Sequence, residues 1–354
     1  MKQLLVLFAI IIVQFNTYAQ STYGVSGTVK NAKGEKIQAA TVFMAGSEKI
    51  TSTDKDGNFR FTTVGPGTYQ IVVNILGYAS SKQNVIVKDR DETVELTLSE
   101  KQIMLDEVLV GDKKGQAKHL KTFIKYFIGD NENGRACKIL NPQVLEFSTI
   151  KNTLKATTAD FLIIDNNNLG YRIKYLLKSF TYDSRKEVTL YEGDCLFEPL
   201  SGTPEQQVIW DKNRQDAYEG SLLHYLRSLY ANTARTEGFL IYKIVSPFFP
   251  LVYESLPIPS EQLIKRPDSN FMVFRTNTRF YILYDKKKAN KVDKPEMVRD
   301  VTLDDLSGTT GSIFMVDSPI DRRGSYADYK KILIQGFWGR KRIGDQLPLE
   351  YVSK

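Results

Sequence analysis

Ser221 and His224 stand three residues apart, so on a helix their side chains are neighbours. A serine beside a histidine base is half of a nucleophilic site. The other half is an acid to orient the imidazole and a set of oxyanion donors. No G-x-S-x-G turn occurs in the chain, and a serine within a helix has no ready oxyanion donors. Ser221 is better explained as a helix cap, its hydroxyl accepting a free N–H of the first turn. Carboxylates offer a second chemistry. Glu192 and Asp194 alternate along a strand and so point to one face, which suits general acid–base work or cation binding. Asp304/Asp305 and Asp317/Asp321 are the other close pairs. Glycosidase carboxylates usually come from different segments, so neighbours on one strand are weak evidence for hydrolysis. The only histidines are His119 and His224, and the only cysteines Cys137 and Cys195. With no CxxC or HExxH, a structural zinc would need distant carboxylates, and no metal is expected. The two thiols either pair or stay separately buried; spacing does not choose. No glycine-rich phosphate loop is visible and no cofactor is expected.

The elements that would position these groups start behind an export signal. Lys2 gives a positive start, Leu4 to Val13 is uninterrupted apolar sequence, and Thr17-Tyr18-Ala19 fits a peptidase site. A spanning helix needs ~20 apolar residues, more than this run supplies. Residues 1–19 are therefore expected to be removed. No cysteine near Ala19 indicates a lipoprotein. The expected location is the periplasm or the periplasmic face of the outer membrane. Formal net charge is +7, and its excess is uneven. Residues 20–112 hold 10 basic and 12 acidic side chains, and residues 113–354 hold 37 and 29. A basic exported domain can meet anionic lipid or polysaccharide, though a solvated surface explains the charge as well. Nucleic acid is not an expected partner after export.

Residues 22–99 read as seven short strands with turns every eight to twelve residues, an antiparallel sandwich. Tyr23 to Lys30 alternates, Ile37 to Ala45 is a second strand, and Asp56-Gly57 predicts a hairpin. Tyr69, Ile71 and Val73 alternate along a later strand, and Val94, Leu96 and Leu98 along the last. Particular motifs recur: G-T-V at Gly27 to Val29, A-T-V at Ala40 to Val42, T-D-K-D-G-N-F at Thr53 to Phe59, G-T-Y-Q-I at Gly67 to Ile71, and Gly77-Tyr78. On these residues the module resembles the carboxypeptidase-like regulatory domain, a prealbumin-like sandwich. That resemblance implies a non-catalytic scaffold or interaction module. The L-D-E-V segment at Leu105 to Val108 is similar to one that follows the same sandwich in TonB-dependent outer-membrane receptors of Bacteroidota. Those receptors continue into a barrel of about 22 strands, more than the residues after Lys114 can supply, so a receptor is not expected. Residues 100–116 are expected to be a linker that tethers the second domain.

Residues 117–354 read as an α+β domain. Ala117 to Ile128 carries a helical stripe with lysines between, which suits a core-packing helix with a wet basic face. Gln143 to Lys151, Thr153 to Ile164, Gly170 to Tyr182 and Glu187 to Phe197 predict an antiparallel meander. Pro204 opens one helix, and Ser221 caps another that runs to Glu237 and ends at Gly238. Leu222, Leu223, Leu226, Leu229 and Tyr230 form its apolar stripe, with His224 and Ser228 opposite. Phe271 to Phe274, Arg279 to Tyr284, Ser312 to Val316 and Ile332 to Phe337 predict strands, Lys286 to Lys294 a loop, and Arg340 to Leu347 a short helix. The block at Tyr218 to Leu229, with C-K-I-L-N-P at Cys137 to Pro142, resembles a Bacteroidota group in which this sandwich precedes such a domain. That group brings no established activity.

The fold class is therefore α+β overall, an all-β sandwich followed by an α+β domain with meander and helices. Candidate binding residues are Tyr218, Glu219, His224 and Arg227, with the last two facing a groove beside the meander. The expected function is non-enzymatic binding or scaffolding of a glycan or envelope protein, with peripheral contact to the outer membrane. The alternative is a periplasmic glycan or peptide hydrolase using carboxylates. Oligomeric state is open.

Overall fold

The computed structural model describes residues 22–101, 113–246, 251–276, 278–291, 300–301, 311–326 and 331–354. The expected signal segment, the L-D-E-V segment and Asp304/Asp305 lie outside the described residues. Seven strands form the first module: β1 (Tyr23–Asn31), β2 (Thr41–Met44), β3 (Ile50–Ser52), β4 (Asn58–Val64), β5 (Gly67–Asn74), β6 (Ser81–Val87) and β7 (Glu92–Leu98). They make two sheets, β4-β1-β7 and β3-β2-β5-β6, around a core that includes Val25, Phe61, Ile71, Val85 and Leu96.

Two expectations are corrected here. The sandwich is not wholly antiparallel, because β1 and β7 pair in parallel from Val25↔Glu92 to Asn31↔Leu98. Strands β6 and β7 belong to different sheets, so the turn between them crosses the sandwich and lays β7 beside β1 in the same direction. The Asp56-Gly57 turn forms, with Gly57 at φ 73° and its N–H on the Asp54 carbonyl at 3.0 Å. It is not a hairpin: β3 pairs with β2 and β4 with β1, so it carries the chain from one sheet to the other. A Cβ on Gly57 would sit 2.7 Å from the Val29 carbonyl oxygen, which keeps the position glycine.

The second part opens with α1 (Lys113–Phe123), four residues before the expected start, and continues as a π-helical turn over Ile124–Ile128. Phe123, Phe127 and Ile128 are buried against Leu154, Ile173 and Phe180, while Lys118, Lys121 and Lys125 face solvent. The meander is β8 (Cys137–Ile139), β9 (Leu145–Ile150), β10 (Thr153–Thr158), β11 (Leu162–Asn166), β12 (Tyr171–Asp183) and β13 (Val188–Pro199). The expected strand from Thr153 to Ile164 is two strands. Long β12 takes β11 along Tyr171–Tyr175 and β10 along Phe180–Asp183, and β13 runs along its other edge.

Helix α2 (Pro204–Tyr218) has Pro204 in its first turn and a reciprocal cap between Thr203 and Gln206. Helix α3 (Leu222–Ala231) is shorter than expected. It stops at Asn232, left-handed at φ 60°, a conformation asparagine tolerates, rather than at Gly238. It is also buried on more than one face. Tyr225, Leu226 and Leu229 pack with Phe239, Ile282, Phe314 and Trp338, and His224 and Ser228 are buried too. The partners of this helix are an antiparallel sheet of β14 (Phe239–Lys243), β15 (Phe280–Tyr284), β16 (Gly311–Val316) and β17 (Ile332–Gly336), in that order. The lysine-rich segment begins with a helical turn at Lys286–Ala289, capped by the Asp285 side chain. In place of the expected last helix, a helical turn at Phe337–Arg340 precedes a 3-10 turn at Ile343–Asp345. No described helix is long and apolar enough to cross a membrane. The architecture is α+β with an N-terminal β-sandwich.

The two parts are joined by more than chain. Residues 43 and 72 lie on the outer face of the β3-β2-β5-β6 sheet, because Val42, Met44, Ile71 and Val73 fill the sandwich core. Phe43 and Val72 are nevertheless 0% exposed, packed on Leu196 with Phe161 and Leu176 alongside. The loop after β2 also adds to the edge of β13: the Gly46 N–H donates to the Cys195 carbonyl at 2.7 Å and the Phe197 N–H to that of Ser47 at 2.9 Å.

Candidate functional site

Tyr218 ends α2, Glu219 follows it, and Gly220 (φ 69°) turns the chain into the cap of α3. The Ser221 hydroxyl accepts the His224 N–H at 3.1 Å, so the serine–histidine pair is a helix cap. The imidazole is committed at both nitrogens. The Gly220 N–H donates to Nδ1 at 3.0 Å, and Nε2 lies 2.6 Å from Glu237 Oε2. A backbone N–H can only donate, so Nδ1 is the acceptor and Nε2 carries the proton of the neutral ring. The other Glu237 oxygen accepts the Thr233 hydroxyl. Tyr218, Phe239 and Tyr284 surround the ring with centroids 4.8, 4.9 and 5.8 Å away. Burial pushes the His224 pKa down, and the Glu237 contact draws it partly back up. A neutral ring with no free lone pair cannot take a proton from a nucleophile.

The four candidate residues are brought together, by bonds of different kinds. Arg227 donates from Nε to the Arg323 carbonyl (2.9 Å), from Nη1 to that of Tyr351 (2.6 Å) and from Nη2 to that of Leu349 (3.0 Å). Its guanidinium lies 5.7 Å from the Tyr218 ring centre. Glu219 accepts from Lys286 Nζ at 2.8 Å and Gln215 Nε2 at 3.2 Å, and the Lys286 contact holds its carboxyl below the usual range. Burial raises the Tyr218 phenol. The rings around His224 come from α2, β14 and β15, not from the meander as expected, because the second sheet covers that side of α3.

The carboxylate pairs are parted in the same way. Glu192 bonds Lys178 at 2.9 Å. Asp194 bonds Lys82, on the sandwich, at 3.0 and 3.1 Å. Burial raises the Asp194 pKa, with Lys82 opposing. Asp321 is fully buried and accepts the Thr68 N–H at 2.8 Å, Arg323 Nη2 at 3.1 Å and the N–H groups of Arg323 and Ser325. It ties the sandwich to the second part instead of facing a partner carboxylate. Cys137 and Cys195 are unpaired thiols, and burial pushes each up to about 12, far from the reactive thiolate. Among the described residues no group of three or more possible ligands could hold a metal.

Sequence reasoning did not find the seam between the two parts. Two cavities open along it. The larger, ≈ 470 Å³, has apolar walls that include Phe197, Leu226 and Trp338, with Lys341, Arg342 and Asp345 beside them. The smaller, ≈ 220 Å³, has mixed walls, with Thr68, Gln70, Asn84, Asp194, Arg323 and Ser325 beside apolar residues such as Ala45 and Leu349. Gly46, Ser325, Tyr326 and Leu349 line both. The one signal in the sequence was the runs Val42-Phe43-Met44 and Ile71-Val72-Val73, where alternation gives way to apolar residues on both faces.

Residues 25–110 match the family model of the CarboxypepD_reg-like domain. Over 100 residues the chain is 35% identical to the TonB-dependent receptor SusC of Bacteroides thetaiotaomicron, covering 27% of this chain and 10% of SusC. The chain thus spans about a tenth of the length of that curated relative. Among solved structures, the Bacillus anthracis TIE protein is 17% identical at TM-score 0.21, covering 23% of this chain and 17% of that one. The shaft pilin SpaA of Lactobacillus rhamnosus GG, a double mutant, is 15% identical at TM-score 0.21, covering 24% and 48%. Catechol 1,2-dioxygenase of Acinetobacter is 12% identical at TM-score 0.22, covering 28% and 59%. The fold assignment rests on the strand pairings given above.

Proposed function

We propose that the protein is a non-enzymatic, exported component of the cell envelope that binds or scaffolds a glycan or an envelope protein, in the periplasm or on the periplasmic face of the outer membrane. One observation carries the reading: the side chains best suited to catalysis are bonded into the fold. His224 has both nitrogens engaged. Ser221 is a cap, and Glu192 and Asp194 are each held by a lysine. The CarboxypepD_reg-like match over residues 25–110 supports a scaffold or binding role, and the similarity to SusC supports an envelope setting. The hydrolase alternative would need carboxylates that converge on a cleft, and Glu192 and Asp194 are drawn to lysines on different elements.

The test uses the full chain expressed in a bacterium of this envelope type and recovered from its periplasm. N-terminal sequencing is expected to begin at Gln20. Incubated with a fractionated envelope extract, the protein is expected to retain one glycan fraction or one protein stoichiometrically, leaving the fraction chemically intact. A mature chain starting at Met1 would overturn the location. Release of glycan or peptide fragments, abolished by Glu192→Gln or Asp194→Asn, would overturn the non-catalytic reading.

A further inference from the structure

Two buried polar atoms at the seam have no hydrogen-bond partner among the described residues: the Thr68 hydroxyl and Arg323 Nε. Both residues line the ≈ 220 Å³ cavity. Thr68 is only 3% exposed. Its place on β5 explains its direction. Tyr69 and Ile71 fill the sandwich core, so Thr68 and Gln70 on the same strand face out toward the second part. The Thr68 backbone is fully used, its N–H on Asp321 and its carbonyl accepting Arg323 Nη2 (2.6 Å) and Ser325 Oγ (3.2 Å). Arg323 is equally fixed, its guanidinium 3.8 Å from the centre of the Tyr69 ring. Folded proteins seldom leave such atoms unmet, and unmet atoms beside a cavity mark a place for water or ligand.

The chemistry of the wall narrows the ligand. Thr68 can donate or accept, Arg323 Nε donates, and Asp194 and the side-chain amide of Gln70 are within the same wall. Each cation here already has an anion, Arg323 with Asp321 and Lys82 with Asp194. Nothing draws in an anion. A neutral molecule with several hydroxyls matches mixed donors and acceptors at balanced charge.

We infer that the seam cavity binds a neutral, hydroxyl-rich ligand, a single sugar ring, through the Thr68 hydroxyl and Arg323 Nε, at the junction of the sandwich and the second part. The inference rests on the binding reading above and names the ligand class and the place. It also gives the docked sandwich a task, since neither part alone completes the wall.

The probes are glucose, galactose, mannose and N-acetylglucosamine, with phosphate and acetate as anionic controls, titrated into the full chain and followed by ligand-observed NMR. At least one of the sugars is expected to bind. Thr68→Val, which keeps the shape and removes the hydroxyl, is expected to weaken that binding about tenfold or more. Thr68→Ser should restore it. Without sugar, Thr68→Val should melt no lower than the parent, since the fold gives the hydroxyl no partner. Asn84→Ala, at an exposed position on the cavity wall, should weaken binding without any risk to the core. Failure of all four sugars to bind, or binding indifferent to both Thr68→Val and Asn84→Ala, would overturn the inference while leaving the scaffold reading intact. Binding of phosphate or acetate in place of sugar would overturn the ligand class. Chemical turnover of a bound sugar would overturn the non-catalytic reading and leave the site standing.

Discussion

The two sheets of the sandwich present opposite outer faces. On β4-β1-β7 the outward residues are polar and wet: Lys30 pairs with Glu95 at 2.8 Å, Arg60 with Asp91 at 3.4 Å, and Ser26 meets Thr93 at 3.5 Å. Exposed pairs of this kind contribute little to stability. On β3-β2-β5-β6 the outward Phe43 and Val72 are fully buried against Leu196. One module, built on one alternation rule, is thus solvated on one side and continued into a second core on the other. A bead on a tether would be wet on both. The seam adds directional bonds to that apolar contact: Gly46 and Ser47 on β13, Asp321 on the Thr68 N–H, Lys82 on Asp194.

The largest test of this contrast is Phe43→Ala. In the full chain it should cost about 3–5 kcal/mol, as for other buried phenylalanines. In an isolated segment of residues 22–101 the same change should cost almost nothing, because there Phe43 faces water. Urea unfolding of the four proteins gives both numbers, and equal costs in the two settings would dissolve the contrast between the sheets. A smaller effect is expected at His224, inside the second part. Its folded pKa is depressed mainly by burial. The neutral ring therefore contributes stability that is present above the unfolded value, about 6.5, and is lost as pH falls through the folded value. The urea midpoint should drop between pH 7.5 and 5, and His224→Gln should flatten that part of the profile. An unchanged slope would mean that other groups carry it. The smallest effect is expected at Tyr225, whose hydroxyl is buried with no partner among the described residues. Tyr225→Phe should leave stability unchanged or raise it by up to about 1 kcal/mol. A clear loss of melting temperature would reveal a bond to that oxygen.

Local grammar made much of the fold readable. Pro204 after Thr203, Ser221 as a cap and Asp56-Gly57 as a turn each express a backbone need that one residue type meets, and each forms. Pairing partners were harder to read. Asp56-Gly57 turns the chain whether the flanking strands pair or part, so the turn alone could not reveal a crossing between sheets. The reading of α3 as one stripe missed Tyr225 because the helix lies among rings from several elements, Phe239, Phe314 and Trp338, spread across the sequence. The seam site was least legible. A threonine in a strand is ordinary, and Thr68 becomes unusual only when Arg323, 255 residues later, closes over its carbonyl.

The bond from the Glu48 N–H to the Glu350 carboxylate spans 302 residues. Beside it, the Leu349 N–H closes on the Gly46 carbonyl at 2.9 Å. A chain made from its N-terminus therefore displays Phe43 and Val72 long before the residues that seal them exist. At ordinary synthesis rates the wait for Phe161, Leu176 and Leu196, which cover them, is roughly 6–30 s. During it the half-made protein carries a greasy sheet face with no mate, the kind of surface that chaperones hold and that sticks to copies of itself. The seam is thus also a matter of timing: the same strip of residues that unites the finished molecule is its point of greatest exposure while it is being born.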